Sequence, residues 1–237
     1  MAKLKRVYQE VSVAATTGGF EVLLDGKALR SPEQNALLLP SGVLSEALAE
    51  EWRSQAKDIH PDTMPLTKLA FTALDRVAPN RDAVIEQISA FANSDVICYR
   101  ASEPSDLVAL QRESWDPILE WAESALRASM RTGEGIGYVA QDYDALWALT
   151  ECFSKRSEFH LAALYSLAAN SGSLVIALAV AEARLDVEAA FRYANCDALY
   201  QADKWGADEE AQARLEAQKA EFSAAAEFLM LLREAND

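Results

Sequence analysis

From Leu161 to Ala181 the chain carries no charged residue, and that stretch constrains the rest of the fold. A run this apolar belongs in a bilayer or in a protein core. Asn170-Ser171-Gly172-Ser173 interrupts it and leaves two apolar halves. Each half is about ten residues, short of the ~20 that a spanning helix needs. The spacing predicts two buried helices joined by a turn, with enough surrounding protein to cover both. The 237 residues supply that cover. A chain of this size buries about 70–75% of its unfolded surface and needs no disulfide or structural metal. With 51% hydrophobic and 25% charged residues, disorder is not expected.

Charge narrows the partners. There are 22 Lys+Arg against 37 Asp+Glu, a net charge of -15. Nucleic-acid binders need a basic stripe that releases phosphate counterions, so no nucleic-acid partner is expected. Anionic membrane surfaces are disfavoured for the same reason, and no membrane insertion is expected. The first 60 residues are nearly neutral, so the acid belongs to the remainder. It reads as a solvated face or as an attractor for a basic partner surface. Cys98, Cys152 and Cys196 are odd in number, far apart and without a CxxC, a reduced, cytoplasmic pattern with buried thiols. The N-terminus has neither the apolar core of a signal peptide nor a long Arg/Ser-rich transit segment, so a cytoplasmic location is expected.

Along the chain, the first forty residues read as β. Val7, Val11 and Val13 alternate loosely with polar neighbours, and Asp25-Gly26 between apolar runs signals a hairpin. A type I′ turn there needs positive φ at both central positions. Leu37-Leu38-Leu39 before Pro40 suggests another short strand. Ser41 then reads as the N-cap of a helix whose Val43, Leu44, Ala47, Leu48 and Trp52 share a face. A helix restarts at Pro65, another near Asn80 and another after Pro104. Asp116-Pro117 is expected to start a new helix, and Gly133, Gly135 and Gly137 to form a flexible connector. From Asp142 onward the pattern is nearly all helical, ending in a long charged segment from Trp205 to Glu234. The expected fold class is α+β. A small β-rich N-terminal domain over 1–60 ends in a helix, and a larger all-helical domain follows over 61–237.

Catalytic and cofactor chemistry finds little support. The two histidines, His60 and His160, fit no metal motif. Gly133-Glu134-Gly135-Ile136-Gly137 has no strand before it, carries an acid that repels phosphate, and lacks a Walker lysine. Ser54 and Lys57 match SxxK spacing, and Arg131-Thr132-Gly133 and Tyr193-Ala194-Asn195 resemble the companion elements of serine acylating enzymes. Their order is wrong for that family. No catalytic, cofactor-binding or metal-binding residue is expected. An acidic helical chain of this kind is expected to bind rather than to catalyse.

Six strings, in order, resemble one family: GFEVLLDGKALRSP (19–32), LAEEWRSQ (48–55), IHPDTMPLTKLAFTALDRV (59–77), SDVICYRA (94–101), WDPILEW (115–121) and YQADKWGADEEA (200–211). Together they resemble the ATP12 family, assembly chaperones of the ATP synthase F-one sector that act on its alpha subunit. The resemblance implies a β-rich domain followed by a helical one. It also implies transient, nucleotide-independent binding of the unassembled alpha subunit until a beta subunit takes over. Mitochondrial members carry a targeting extension, so the resemblance is to a bacterial member. Val96-Ile97 stands where the family tends to have leucines, a volume-conserving change.

A free alpha subunit exposes the apolar surface that beta subunits later cover. A displaceable chaperone should cover it with a modest interface and few anchors. The candidate partner-binding residues lie in the late region: Trp205, Asp208, Glu209, Glu210 and Phe228, with Phe222 and Leu229 nearby. The resemblance places its weight on an acidic residue there, taken as Glu209. The competing readings are a core position for Trp205 and the Phe/Leu stripe, and a helix N-terminal turn for the acid triplet. Trp52, Tyr99, Arg100, Trp115 and Asp116 read as structural. Arg100 or Arg76 is expected to pair with Asp75, Asp95 or Asp116. Two other classes remain open: a Ser54/Lys57 hydrolase, and a generic helical adaptor or holdase with another partner. A monomer is expected.

Overall fold

A computed structural model describes residues 4–135, 137–206 and 208–233. The N-terminal sheet grows from its turns. Strand β1 (Leu4–Lys5) precedes β2 (Val11–Thr16), which pairs antiparallel with β3 (Gly19–Leu24), from Val11 opposite Leu24 to Thr16 opposite Gly19. β3 turns through Asp25-Gly26 into β4 (Lys27–Ala28). Both turn residues have positive φ, 47° and 75°, as the two-residue hairpin requires. The Asp25 carboxylate also accepts the backbone N–H groups of Glu10 (2.8 Å) and Gln9 (2.9 Å), which hold it below the usual carboxylate range.

The strand expected at Leu37–Leu39 shrinks to two isolated bridges, Arg30 with Ala36 and Phe20 with Leu39. Pro40 follows and has no N–H with which to extend a ladder. Leu37 and Leu39 are still core residues. Their approach is close: a Cβ at Gly19, whose φ is +148°, would collide with the Leu39 carbonyl oxygen.

Helix α1 (Gly42–Arg53) packs Leu44, Leu48, Ala49 and Trp52 inward, and Ser41 caps it by accepting the Leu44 N–H (3.2 Å). Val43 lies off that stripe and is exposed. β5 (Asp58–Ile59) pairs antiparallel with β1. α2 (Pro65–Thr72) begins at Pro65 in its first turn, as the sequence indicates. Its free N–H groups are satisfied from α1. The Glu51 carboxylate accepts the N–H of Leu66 and of Thr67, both at 2.8 Å, and the Thr67 hydroxyl at 2.6 Å. A π-helical turn, Ala73–Val77, follows and carries Asp75.

The remaining elements are helices α3 (Arg81–Ala90), α4 (Ser105–Leu126), α5 (Tyr143–Glu151), α6 (Glu158–Ser171), α7 (Leu174–Ala181), α8 (Val187–Ala194), α9 (Cys196–Trp205) and α10 (Glu209–Arg233), with strands β6 (Tyr99–Arg100) and β7 (Gly133–Glu134). The chain forms two compact units: 1–81 with 157–163 and 227–237, and 82–156 with 164–226. In the first unit, Phe159 packs against Phe228 with ring centroids 6.5 Å apart.

Two local expectations change. Pro117 starts no new helix; it lies inside the continuous α4. Pro117 cannot donate to the carbonyl one turn back, a cost of about 3 kcal/mol in an isolated helix. Burial of Trp115, Ile118 and Ala122 around it, and the bond from Trp115 Nε1 to the Tyr193 carbonyl (2.9 Å), hold the helix together. The glycine segment is not a bare connector: Gly133 and Glu134 pair in parallel with Tyr99 and Arg100, and α4 supplies the long crossover that parallel strands need. Ile136 lies outside the described residues.

The uncharged stretch becomes α6 and α7, parted at Gly172, whose φ is +66°. Leu174 to Val180 are all buried. Among the described residues no helix is long and apolar enough to cross a membrane. The start of α7 is closed by two side chains. Ser173 Oγ accepts the Ile176 N–H (3.0 Å), and the fully buried Asp95 accepts the N–H of Val175 (3.1 Å) and of Ile97 (3.3 Å). Burial pushes the Asp95 carboxyl up to about 6, against the opposing pull of Ser173 and the backbone N–H groups.

Because that value is raised in the folded state, the stability linked to Asp95 is fully present below the unfolded value of 3.8 and is lost as pH rises through about 6. Asp95→Asn should flatten this dependence in urea unfolding followed across that range. It should also destabilise the protein by about 1–3 kcal/mol, because an amide brings donors to a site already full of them. Gly19→Ala should lower stability by about 2 kcal/mol or more in the same measurement.

Candidate functional site

The late acidic region folds into a corner between α9 and α10. Its base is Asp106, in the first turn of α4. The Tyr200 hydroxyl donates to Asp106 Oδ1 (2.7 Å), and Lys204 Nζ lies 3.0 Å from Oδ2. Those two hydrogen bonds, Tyr200 first, hold the Asp106 carboxyl down to about 2. Lys204 is thereby committed, and it also lies 5.3 Å from the Tyr200 ring centre. Trp205 meets the same ring edge-on, with centroids 6.4 Å apart, and leaves 75% of its surface in solvent. Gly206, at φ +80°, ends α9.

Asp208 opens α10 by accepting the Ala211 N–H (2.7 Å). Glu209 and Glu210 occupy the first turn, where the helix dipole favours negative charge. Glu210 has Arg214 at 3.6 Å. Asp208 and Glu209 make no ion pair among the described residues, and Asp203 shares Lys204 with Asp106 only through its field. The corner is thus an exposed indole amid uncompensated acid, held on a tyrosine–aspartate tether. It offers binding surface and a negative field.

Four of the expected contact residues, Trp205, Asp208, Glu209 and Glu210, come together here and are exposed. Phe228 does not. It is fully buried against Phe159 in the other compact unit, and Phe222 and Leu229 are core residues too. The apolar stripe of α10 was legible as a stripe; its destination was a core. Ala207 and Glu234 lie outside the described residues. Asp106 was missed, since one acid after Pro104 looks like any first-turn acid. The exposed Tyr138, Tyr143 and Trp147 were also missed. Tyr143 and Trp147 are four apart, while Ala145 and Leu149 are buried, and that spacing was the available signal.

Five of the six recognisable strings supply structural ties, and the sixth, 200–211, forms the corner described above. Asp75 accepts the Ser31 hydroxyl, the Asn35 side-chain amide (2.8 Å) and the Glu33 N–H (3.2 Å), which joins the loop after β4 to the π turn. Burial works against its charge, but these donors keep the carboxyl below its ordinary value. Arg100, with only 11% of its side chain exposed, lies 2.8 Å from Asp116, donates to the Gln111 carbonyl (3.2 Å) and stands over the Trp115 ring. Of the carboxylates considered for Arg100 and Arg76, only Asp116 receives an arginine; Asp75 and Asp95 are held by neutral donors, and Arg76 lies 4.0 Å from Glu33.

The chemical alternatives resolve locally. Ser54 and Lys57 are both exposed. Lys57 lies past the end of α1, so no helical turn relates the two, and the Ser54 hydroxyl donates to the Glu51 carbonyl (2.8 Å). The Ser/Lys reading required both to face inward, and it fails. Burial pushes the Cys98 thiol up to about 12 and Cys196 up to about 11, which makes both poor nucleophiles at neutral pH. His160 Nδ1 lies 3.2 Å from the Ser157 hydroxyl. Among the described residues no cluster of three His, Cys, Asp or Glu side chains could hold a metal ion.

The family model described as ATP12 chaperone protein matches residues 5–123. The crystal structure of Atp12 from Paracoccus denitrificans superposes with a TM-score of 0.92 at 37% identity, covering 97% of this chain and 98% of that one. A crystal structure from Agrobacterium tumefaciens gives a TM-score of 0.92 at 39% identity, covering 96% of this chain and 86% of that one. The Schizosaccharomyces pombe protein named as mitochondrial atp12 is 23% identical over 219 residues, 87% of this chain and 75% of its own.

Trp205→Ser should leave the thermal melt unchanged, within about 0.5 kcal/mol, because the indole is exposed and only its edge meets Tyr200. A large drop in a calorimetric melt would make Trp205 a packing residue instead.

Proposed function

Because the chain belongs to the ATP12 chaperone family, we propose that it binds the unassembled alpha subunit of ATP synthase, without nucleotide, and assists assembly of the F-one sector. The observation that carries a binding role is the corner itself. Trp205 is three-quarters exposed amid acid, although burying an indole is worth several kcal/mol to a fold. An exposed aromatic on a charged rim is the composition of a protein-contact anchor.

An unassembled subunit presents an apolar interface that aggregates unless covered. The corner offers one aromatic anchor to that interface and an acid surround to basic residues at its edge. Acid steers a partner and sets its orientation while adding little net affinity at an exposed rim. Binding of that kind is displaceable, which suits handover to a beta subunit. The chain acts in this reading as a monomer in a bacterial cytoplasm and catalyses no reaction. Glu209, at the exposed end of α10 and without a cation, is the acid on which recognition turns.

The test is suppression of aggregation. Isolated alpha subunit is warmed with and without the protein, with light scattering as the readout and no nucleotide added. Selective protection of alpha is expected, with beta subunit and an unrelated aggregating protein left unprotected. Glu209→Lys should weaken protection through charge reversal, with no more change in the melt than the ~0.3–1 kcal/mol that a cation costs in a first helical turn. No protection of alpha overturns the proposal; equal protection of every protein makes the chain a general holdase.

A further inference from the structure

We infer that the outer row of α5 is a second client-docking surface that takes a basic, amphipathic segment. This rests on the chaperone reading above and adds a place and a chemistry to it. α5 turns Ala145 and Leu149 inward, and the opposite row presents Tyr143, Trp147 and Glu151 at successive turns. Tyr143 is 78% exposed and Trp147 56%. Neither ring has an aromatic or cationic partner among the described residues. Beside the row runs a groove of about 530 Å³ between α5 and the last turn of α4. Its wall is apolar, from Ala125, Leu126, Trp147 and Ala148, and its rim carries Asp144, Glu151 and Arg127.

Charge selects the occupant. Arg131 is committed to Asp142, and Lys155 lies 3.2 Å from Glu151. Among the described residues Glu120, Glu123 and Asp144, in the last two turns of α4 and the first of α5, make no ion pair, and Arg127 is the cation that lines the groove with Asp144. A second copy of this chain would bring its own net charge of -15 to an acidic face, so self-association is the wrong occupant. A basic segment fits. Its aliphatic side chain enters the groove, and a Lys or Arg head lies over the Trp147 ring, where the indole face attracts a cation. Anchors spaced three or four residues apart on a helix would match the Tyr143–Trp147 spacing.

The test uses the full chain and purified alpha subunit in titration calorimetry. The double variant Tyr143→Ala/Trp147→Ala should bind at least about tenfold more weakly, as expected for a removed aromatic anchor, with an unchanged melt. Trp147→Phe should retain more affinity than Trp147→Ala. Asp144→Asn, which keeps both rings, should weaken binding and flatten its dependence on salt. If the wild type binds alpha and all these folded variants bind equally well, this inference is overturned and the chaperone reading stands. If the wild type binds no alpha subunit, both are overturned.

Discussion

The helical unit depends on a buried carboxylate with no cation beside it. Asp95 closes the start of α7, a helix apolar along its whole length, by accepting the Val175 N–H. A helix N-terminus carries unpaired N–H groups and partial positive charge, and a carboxylate satisfies both. With Ser173 it leaves α7 capped inside the core, and the segment before β6 is fixed by the same side chain through Ile97. The first unit repeats the device with Glu51 at the start of α2. In both cases a residue distant in sequence fixes where a helix begins, which sets the register of everything packed after it.

Much of the fold was legible because its signals are local. Asp25-Gly26 fixed the hairpin, Ser41 the first helix, and Asn170–Ser173 the break between two buried helices. Where local signals misled, a tertiary contact had outweighed them. Pro117 sits within α4 because Trp115 and its neighbours are buried around it. Gly133 and Glu134 became a strand because β6 was there to pair with. The long-range partners of Asp95, Glu51 and Asp75 lie 15 to 80 positions away in the chain, and no spacing rule reaches so far.

The candidate site was legible in part for the same reason. An acid triplet at a helix start is visible in sequence. Whether a nearby tryptophan faces water depends on what else fills the core, which no local spacing records; Trp205 is exposed while the apolar stripe of α10, Phe228 included, is buried. The resemblance-bearing residues divide: Asp75, Asp95, Arg100 and Asp116 are consumed in holding the structure, whereas Trp205, Asp208 and Glu209 stand exposed at the surface, Asp208 while also capping α10. A fold that spends its carboxylates on caps inside and still carries -15 overall presents the surplus outside, where a basic client edge can meet it.

Hydrogen exchange of the full chain, alone and with the alpha subunit, tests this division most directly. Amides of α9, the first turn of α10 and α5 should exchange faster than those of α7 in the chain alone and gain protection with the alpha subunit. Those of α7 should be slow in both, since Asp95 and Ser173 already hold them. Protection confined to the β2–β3–β4 sheet, with the α9–α10 corner unchanged, would contradict the assignment of the client surface.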